Sequence, residues 1–130
     1  MNPPRFVSLE QVMELHRISL DRFKGLDGVR EPGLVESALA SAENTHWYGQ
    51  GDFFAIAAAY AFHLAESQAF FDGNKRTGAA AALVFLDLNG FEIPGSADLD
   101  LHQALIAVAN KSEDKLGLAR LLRNIAGKRT

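Results

Sequence analysis

Apolar residues recur along nearly the whole chain at three- and four-residue intervals, the spacing of one face of an α-helix. Leu9, Val12, Met13, Ile18 and Phe23 mark a first helix over about 9–23, with Ser8 and Gln11 as its capping box. Gly25-Leu26-Asp27-Gly28 is a turn. Pro32 suits the first turn of a second helix, whose inward face is Leu34, Val35, Ala38, Leu39 and Ala42. Residues 44–51 read as a loop holding His46, Trp47 and Tyr48. Asp52 caps a third helix over about 53–67, apolar nearly all round and therefore the buried central one. Residues 68–74 break the pattern. A fourth helix runs from about Lys75 to Leu88 and stops at Asn89-Gly90. The alanine runs 57–59 and 79–82 let these two helices pack closely. Residues 91–94 form a short extended piece. A fifth helix, about 97–110, turns Leu101, Leu105 and Val108 inward. Ser112 caps a sixth, which carries Leu116, Leu118, Leu121, Leu122 and Ile125. No strand pattern is long enough for a sheet, and no linker or repeat is visible. The expectation is an all-α fold, one compact six-helix bundle over residues 1–130, with the broken segment between two central helices.

Composition narrows the chemistry. The chain has 130 residues and no Cys, which excludes disulfides, a thiolate nucleophile and Cys-ligated metal. No apolar run is long enough to span a bilayer, and the N-terminus has no secretory pattern, so a cytoplasmic protein is expected. Net charge is −3, which gives no global field for direct nucleic-acid contact. Six of the 13 basic residues, Lys111, Lys115, Arg120, Arg123, Lys128 and Arg129, fall in the last 20 positions, a pattern of a solvated helix face and tail.

The segment Gln68-Ala69-Phe70-Phe71-Asp72-Gly73-Asn74-Lys75-Arg76 concentrates polar groups between two apolar helices. Gly73 permits a sharp turn and a close approach to a ligand. The N–H groups of Asn74, Lys75 and Arg76 then become the open donors of a helix N-terminus, which attracts phosphate. Lys75 and Arg76 add full charges, and Arg76 can grip two phosphate oxygens at once. Asp72 would be repelled by a phosphate unless Mg²⁺ lay between them. Phe70 reads as the loop's anchor in the core. A plain interhelical turn with Asp72 as its cap fits the same spacing.

The segment resembles the signature of the Fic/Doc superfamily, roughly His-x-Phe-x-Asp/Glu-Gly-Asn-Gly/Lys-Arg, with Phe70, Asp72, Gly73, Asn74, Lys75 and Arg76 in register. The stretches 28–39 and 81–90 resemble the death-on-curing branch. The resemblance implies a small all-α bundle that uses ATP and Mg²⁺. It implies transfer of a phosphoryl group to a hydroxyl of a translation factor such as elongation factor Tu, halting protein synthesis. It also implies a partner antitoxin with a disordered C-terminal tail. Carried over by position, Asp72 holds Mg²⁺, Gly73 and Asn74 cradle phosphate, and Lys75 and Arg76 offset transition-state charge. Lys75 in place of Gly, and Ala79 in place of a second Arg, favour phosphoryl over adenylyl transfer.

One position departs from the signature. Gln68 stands where the family has its general-base histidine. An amide cannot accept a proton near neutral pH, though it can orient a hydroxyl. Three readings follow: Gln68 orients the nucleophile, another group is the base, or the chain binds nucleotide or a partner without chemistry. Of the other histidines, His63 reads as a core residue and His46 as part of an aromatic loop. His16 and His102 lie on amphipathic helices and receive no role. The self-inhibitory pattern of many Fic proteins, Ser or Thr with Glu four residues later, is missing. An external antitoxin is the expected control.

Overall fold

The computed structural model describes residues 3–49 and 51–128. Among them, six helices follow in chain order: α1 (Leu9–Phe23), α2 (Pro32–Trp47), α3 (Phe53–Ser67), α4 (Asn74–Leu88), α5 (Ala97–Ala109) and α6 (Lys115–Ile125). The fold is all-α, as the periodicity predicts. Local chemistry sets the helix starts. Ser8 Oγ accepts from Gln11 N at 3.1 Å while Gln11 Oε1 accepts from Ser8 N at 2.8 Å, closing the capping box on α1. Asp52 accepts from Ala55 N at 2.8 Å and so caps α3.

Two helix boundaries differ from the sequence reading. The expected loop 44–51 is helical as far as Trp47. No breaker precedes Gly49, and the Phe6 ring supports this last turn from 6.0 Å at His46 and 6.2 Å at Trp47. Ser112 does not cap α6; its hydroxyl donates to Ala107 O at 3.2 Å, at the end of α5. Asp114 caps α6 instead, accepting from Gly117 N at 2.8 Å. Leu116 is consequently 71% exposed, because Leu118 and Leu122 define the buried face and Leu116 lies across the helix from it. A two-residue antiparallel ladder also forms, β1 (Phe91–Glu92) on β2 (Gly127–Lys128), too short to leave an alternating pattern.

The core gathers round α3, whose residues Ile56 to Ala61, Leu64 and Ala65 are all buried. Tyr60 lies among them, and its hydroxyl accepts from Val7 N at 3.0 Å. Burial pushes this phenol up to about 12. Helices α3 and α4 approach backbone to backbone: a Cβ on Gly78 would stand 2.7 Å from Ala61 O. That contact fixes where α4 begins relative to the end of α3, and so shapes the loop between them. Helices α1 and α5 both pack on α4. The α4 N-terminus therefore opens between elements distant in sequence.

Candidate functional site

The α3–α4 loop is fixed from three sides. From one side, residues 28–31 clamp it. Ala69 O accepts from Arg30 N at 2.7 Å and Glu31 N at 3.1 Å, and Gly28 O accepts from Phe71 N at 3.3 Å. From below, Phe70 is buried and stacks on His16, with ring centroids 3.8 Å apart and planes at 13°. His16 Nε2 then donates to Asp72 O at 2.8 Å. Because a carbonyl only accepts, Nε2 carries the proton. From the helix side, Asn74 closes on Phe70 with both ends of its amide, accepting from Phe70 N at 3.0 Å and donating to Phe70 O at 2.9 Å. What Asn74 offers a ligand is thus its backbone N–H.

These contacts leave a set of open groups. Gly73 begins α4 at φ 82°, and no side chain caps the helix. The first N–H to bond back is that of Thr77, to Gly73 O at 2.9 Å. Those of Asn74, Lys75 and Arg76 find no acceptor among the described residues. Asp72 is not the cap; its Oδ2 accepts from Leu26 N at 2.8 Å, which steadies the carboxylate and leaves Oδ1 open. Arg76 Nε donates to Ser19 Oγ at 3.1 Å, and its guanidinium lies 4.8 Å from the centre of the Phe23 ring. Among the described residues, no carboxylate pairs with Lys75 or Arg76. Gln68 ends α3 in the left-handed region at φ 55°, with Nε2 donating to Ala65 O at 3.3 Å. Its backbone carbonyl accepts from Arg30 Nε at 3.0 Å.

A cavity of ≈ 260 Å³ brings these groups together, lined by Gln68, Phe71, Asp72, Gly73, Asn74, Lys75, Arg76 and His102. Every sequence-predicted site residue but the anchor Phe70 faces it. A larger cavity of ≈ 500 Å³ lies near Leu83 and Glu92 and has no cationic lining. Asp72 is the acidic residue of this lining, and no group of three or more His, Asp and Glu gathers among the described residues. A divalent ion fits there only if phosphate oxygens and water complete its shell, the usual arrangement for Mg²⁺.

The histidines sort differently from the sequence expectation. His63 is half-buried rather than core, and Lys115 Nζ approaches its Nε2 to 3.2 Å. Burial first, and Lys115 second, hold its pKa below the ordinary value. It lines a separate cavity with Ser37 and Glu66. His46 packs edge-on against Trp47 at 4.5 Å and does not line the cavity at the α4 N-terminus. The two histidines given no role are the ones at the site: His16 beneath the loop and His102 on α5 in the cavity wall. Only tertiary packing brings them there, so no spacing in the sequence marks them. Arg129, among the basic residues singled out near the C-terminus, lies outside the described residues.

A family model described as Fic/DOC family matches residues 6–86. "Protein kinase doc" of Escherichia phage P1 is 35% identical over 104 residues, covering 77% of this chain and 82% of that protein. "Toxin Doc" of Mycolicibacterium smegmatis is 36% identical over 108 residues, covering 80% of this chain and 82% of that protein.

Proposed function

The chain belongs to the Fic/DOC family, and on that footing we propose that it is a Doc-type toxin that transfers the γ-phosphoryl group of Mg·ATP to a protein hydroxyl. The observation that carries this reading is the cavity at the α4 N-terminus, where three open N–H groups, Lys75, Arg76 and Asp72 converge. The phosphate chain rests on the N–H groups of Asn74, Lys75 and Arg76. Lys75 and the two terminal nitrogens of Arg76 offset the charge that gathers on the transferring group, and most of the catalysis comes from such positioning and electrostatics. Asp72 would hold Mg²⁺, which would supply neutralisation of part of the phosphate charge.

In the transfer, the bond from γ-phosphorus to its bridging oxygen breaks and ADP leaves. A bond from the acceptor oxygen to phosphorus forms, and the hydroxyl proton passes to water. Gln68 orients the hydroxyl through its amide oxygen but takes no proton. A loose phosphoryl-transfer transition state tolerates that, because the hydroxyl loses its proton late. Lys75 in place of Gly, and Ala79 in place of the second Arg, support phosphoryl over adenylyl transfer. The acceptor protein is a translation factor of the elongation factor Tu type. The toxin acts in the cytoplasm, and a separate antitoxin with a disordered C-terminal tail restrains it.

Incubation with a translation extract and either γ-labelled or α-labelled ATP tests the reading. Label on a protein from γ alone is the expected result. Label from α identifies adenylyl transfer. Nucleotide binding without label on any protein identifies a binding module.

A further inference from the structure

The motif does not account for one residue of the cavity wall. His102 comes from α5, beyond the residues matched by the family model. It lines the cavity at the α4 N-terminus with Gln68, Asp72, Lys75 and Arg76. Together with Arg76 it also lines an adjoining cavity of ≈ 200 Å³, whose other walls are Phe23, Asp98 and Leu99. Arg76 and His102 are thus common to the two cavities.

The imidazole's two nitrogens stand in different surroundings. Nδ1 is buried and has no hydrogen-bond partner among the described residues. Nε2 is not among the buried unpartnered atoms and has no partner among the described residues, so it is the accessible nitrogen. A proton on Nδ1 would be a buried donor without an acceptor, which is costly, whereas a bare lone pair there costs less. The neutral ring therefore carries its proton on Nε2. A ring in that state gives a hydrogen bond and does not take a proton at its exposed edge.

We propose that His102 is a ligand-binding residue, donating from Nε2–H to a phosphate oxygen of the bound nucleotide. The chemistry of the wall selects that ligand. The motif cavity is lined by the helix N-terminus, Lys75 and Arg76, which attract an anion, against the single carboxylate of Asp72. Across the second cavity Asp98 repels one, so the anion belongs on the motif side of the imidazole. His102 adds a donor from α5 to those that α4 supplies.

This inference rests on the nucleotide reading, and two experiments on the full chain separate the fates of the two. The first is a nitrogen-detected NMR spectrum of the wild-type imidazoles. It is expected to place the His102 proton on Nε2 and to shift that resonance when Mg·ATP is added. A proton on Nδ1 overturns the proposal. The second is titration calorimetry with Mg·ATP. His102→Ala is expected to weaken binding about tenfold, the loss of one hydrogen bond to a charged acceptor. His102→Gln, whose amide nitrogen reaches about as far as Nε2, should recover most of it. His102→Asn, whose nitrogen lies near Nδ1, should not. A urea melt of the Ala variant beside wild type separates a lost contact from a failure to fold. Equal affinity in wild type and His102→Ala overturns this proposal alone. A wild-type chain that binds no Mg·ATP overturns the nucleotide reading as well.

Discussion

Arg76 is held at one end and free at the other. Its Nε is committed to Ser19 and its plane to Phe23, which fixes the guanidinium at the cavity wall and leaves its two terminal nitrogens for a ligand. A preset guanidinium loses little freedom when it meets a phosphate, and its fork matches two phosphate oxygens. Arg76→Ala is expected to lower phosphoryl transfer by about 10²–10³-fold, the scale of removing one preorganised transition-state donor. Arg76→Lys should recover little, because the charge returns without the fork. Single-turnover kinetics beside urea melts check this, and an Arg76→Lys chain near wild-type rate would contradict it. Gln68 is the complementary case. Its left-handed backbone is tolerated by His better than by most residues, so Gln68→His should fold normally. If proton removal limits the rate, that change raises transfer by about 10²–10⁴-fold. The increase should follow the fraction of neutral imidazole as pH rises, and a flat pH profile would rule the base out.

Elements meet at contacts that local sequence does not announce. Helices α3 and α6 touch where Lys115 Nζ faces His63 Nε2, and the pair disfavours the imidazolium. The sign follows from linkage. The folded pKa lies below the unfolded one, so this contribution to stability is complete above the ordinary value of 6.5 and is lost as pH falls through the folded pKa. Lys115→Met removes the charge while burial remains. NMR titration should then show the His63 midpoint moving up toward 6.5, with a smaller loss of stability at acid pH. An unmoved midpoint would show that Lys115 plays no part. The residues involved also mark where reading the sequence succeeds. Ser8, Pro32 and Asp52 act on neighbours three residues away or fewer, so their helices start where expected. Asp114 competes with Ser112 for the same role. The winner is decided by α5, whose last turn takes the Ser112 hydroxyl. The loop 68–76 was legible because its chemistry is consecutive. His16 and His102 were not, because α1 and α5 reach that loop only through the packing on α4.

Over the whole molecule, a chain of net charge −3 gathers an anion-attracting corner at the α4 N-terminus. The family model ends at residue 86, but the fold does not. Helix α5 carries His102 to the cavity. Helix α6 buries Leu118 and Leu122 among the core residues and ties Arg123 to Asp52 at 2.6 Å, at the start of α3. A chain ended after Asn110 would uncover the α3 surface that α6 covers. Losing two buried leucines alone costs about 2–5 kcal/mol each, set against a total stability of about 5–15 kcal/mol for a domain. That chain is expected to show no cooperative urea transition by circular dichroism, although every motif residue is present. A chain ended after Ile125 lacks only β2 and the residues around it. It should keep the cooperative transition with a lower midpoint, because the ladder joins only two residues on each strand. Cooperative unfolding of the 110-residue chain would mean that the first five helices suffice. The cavity wall would then stand on α4 and α5 without the support of α6.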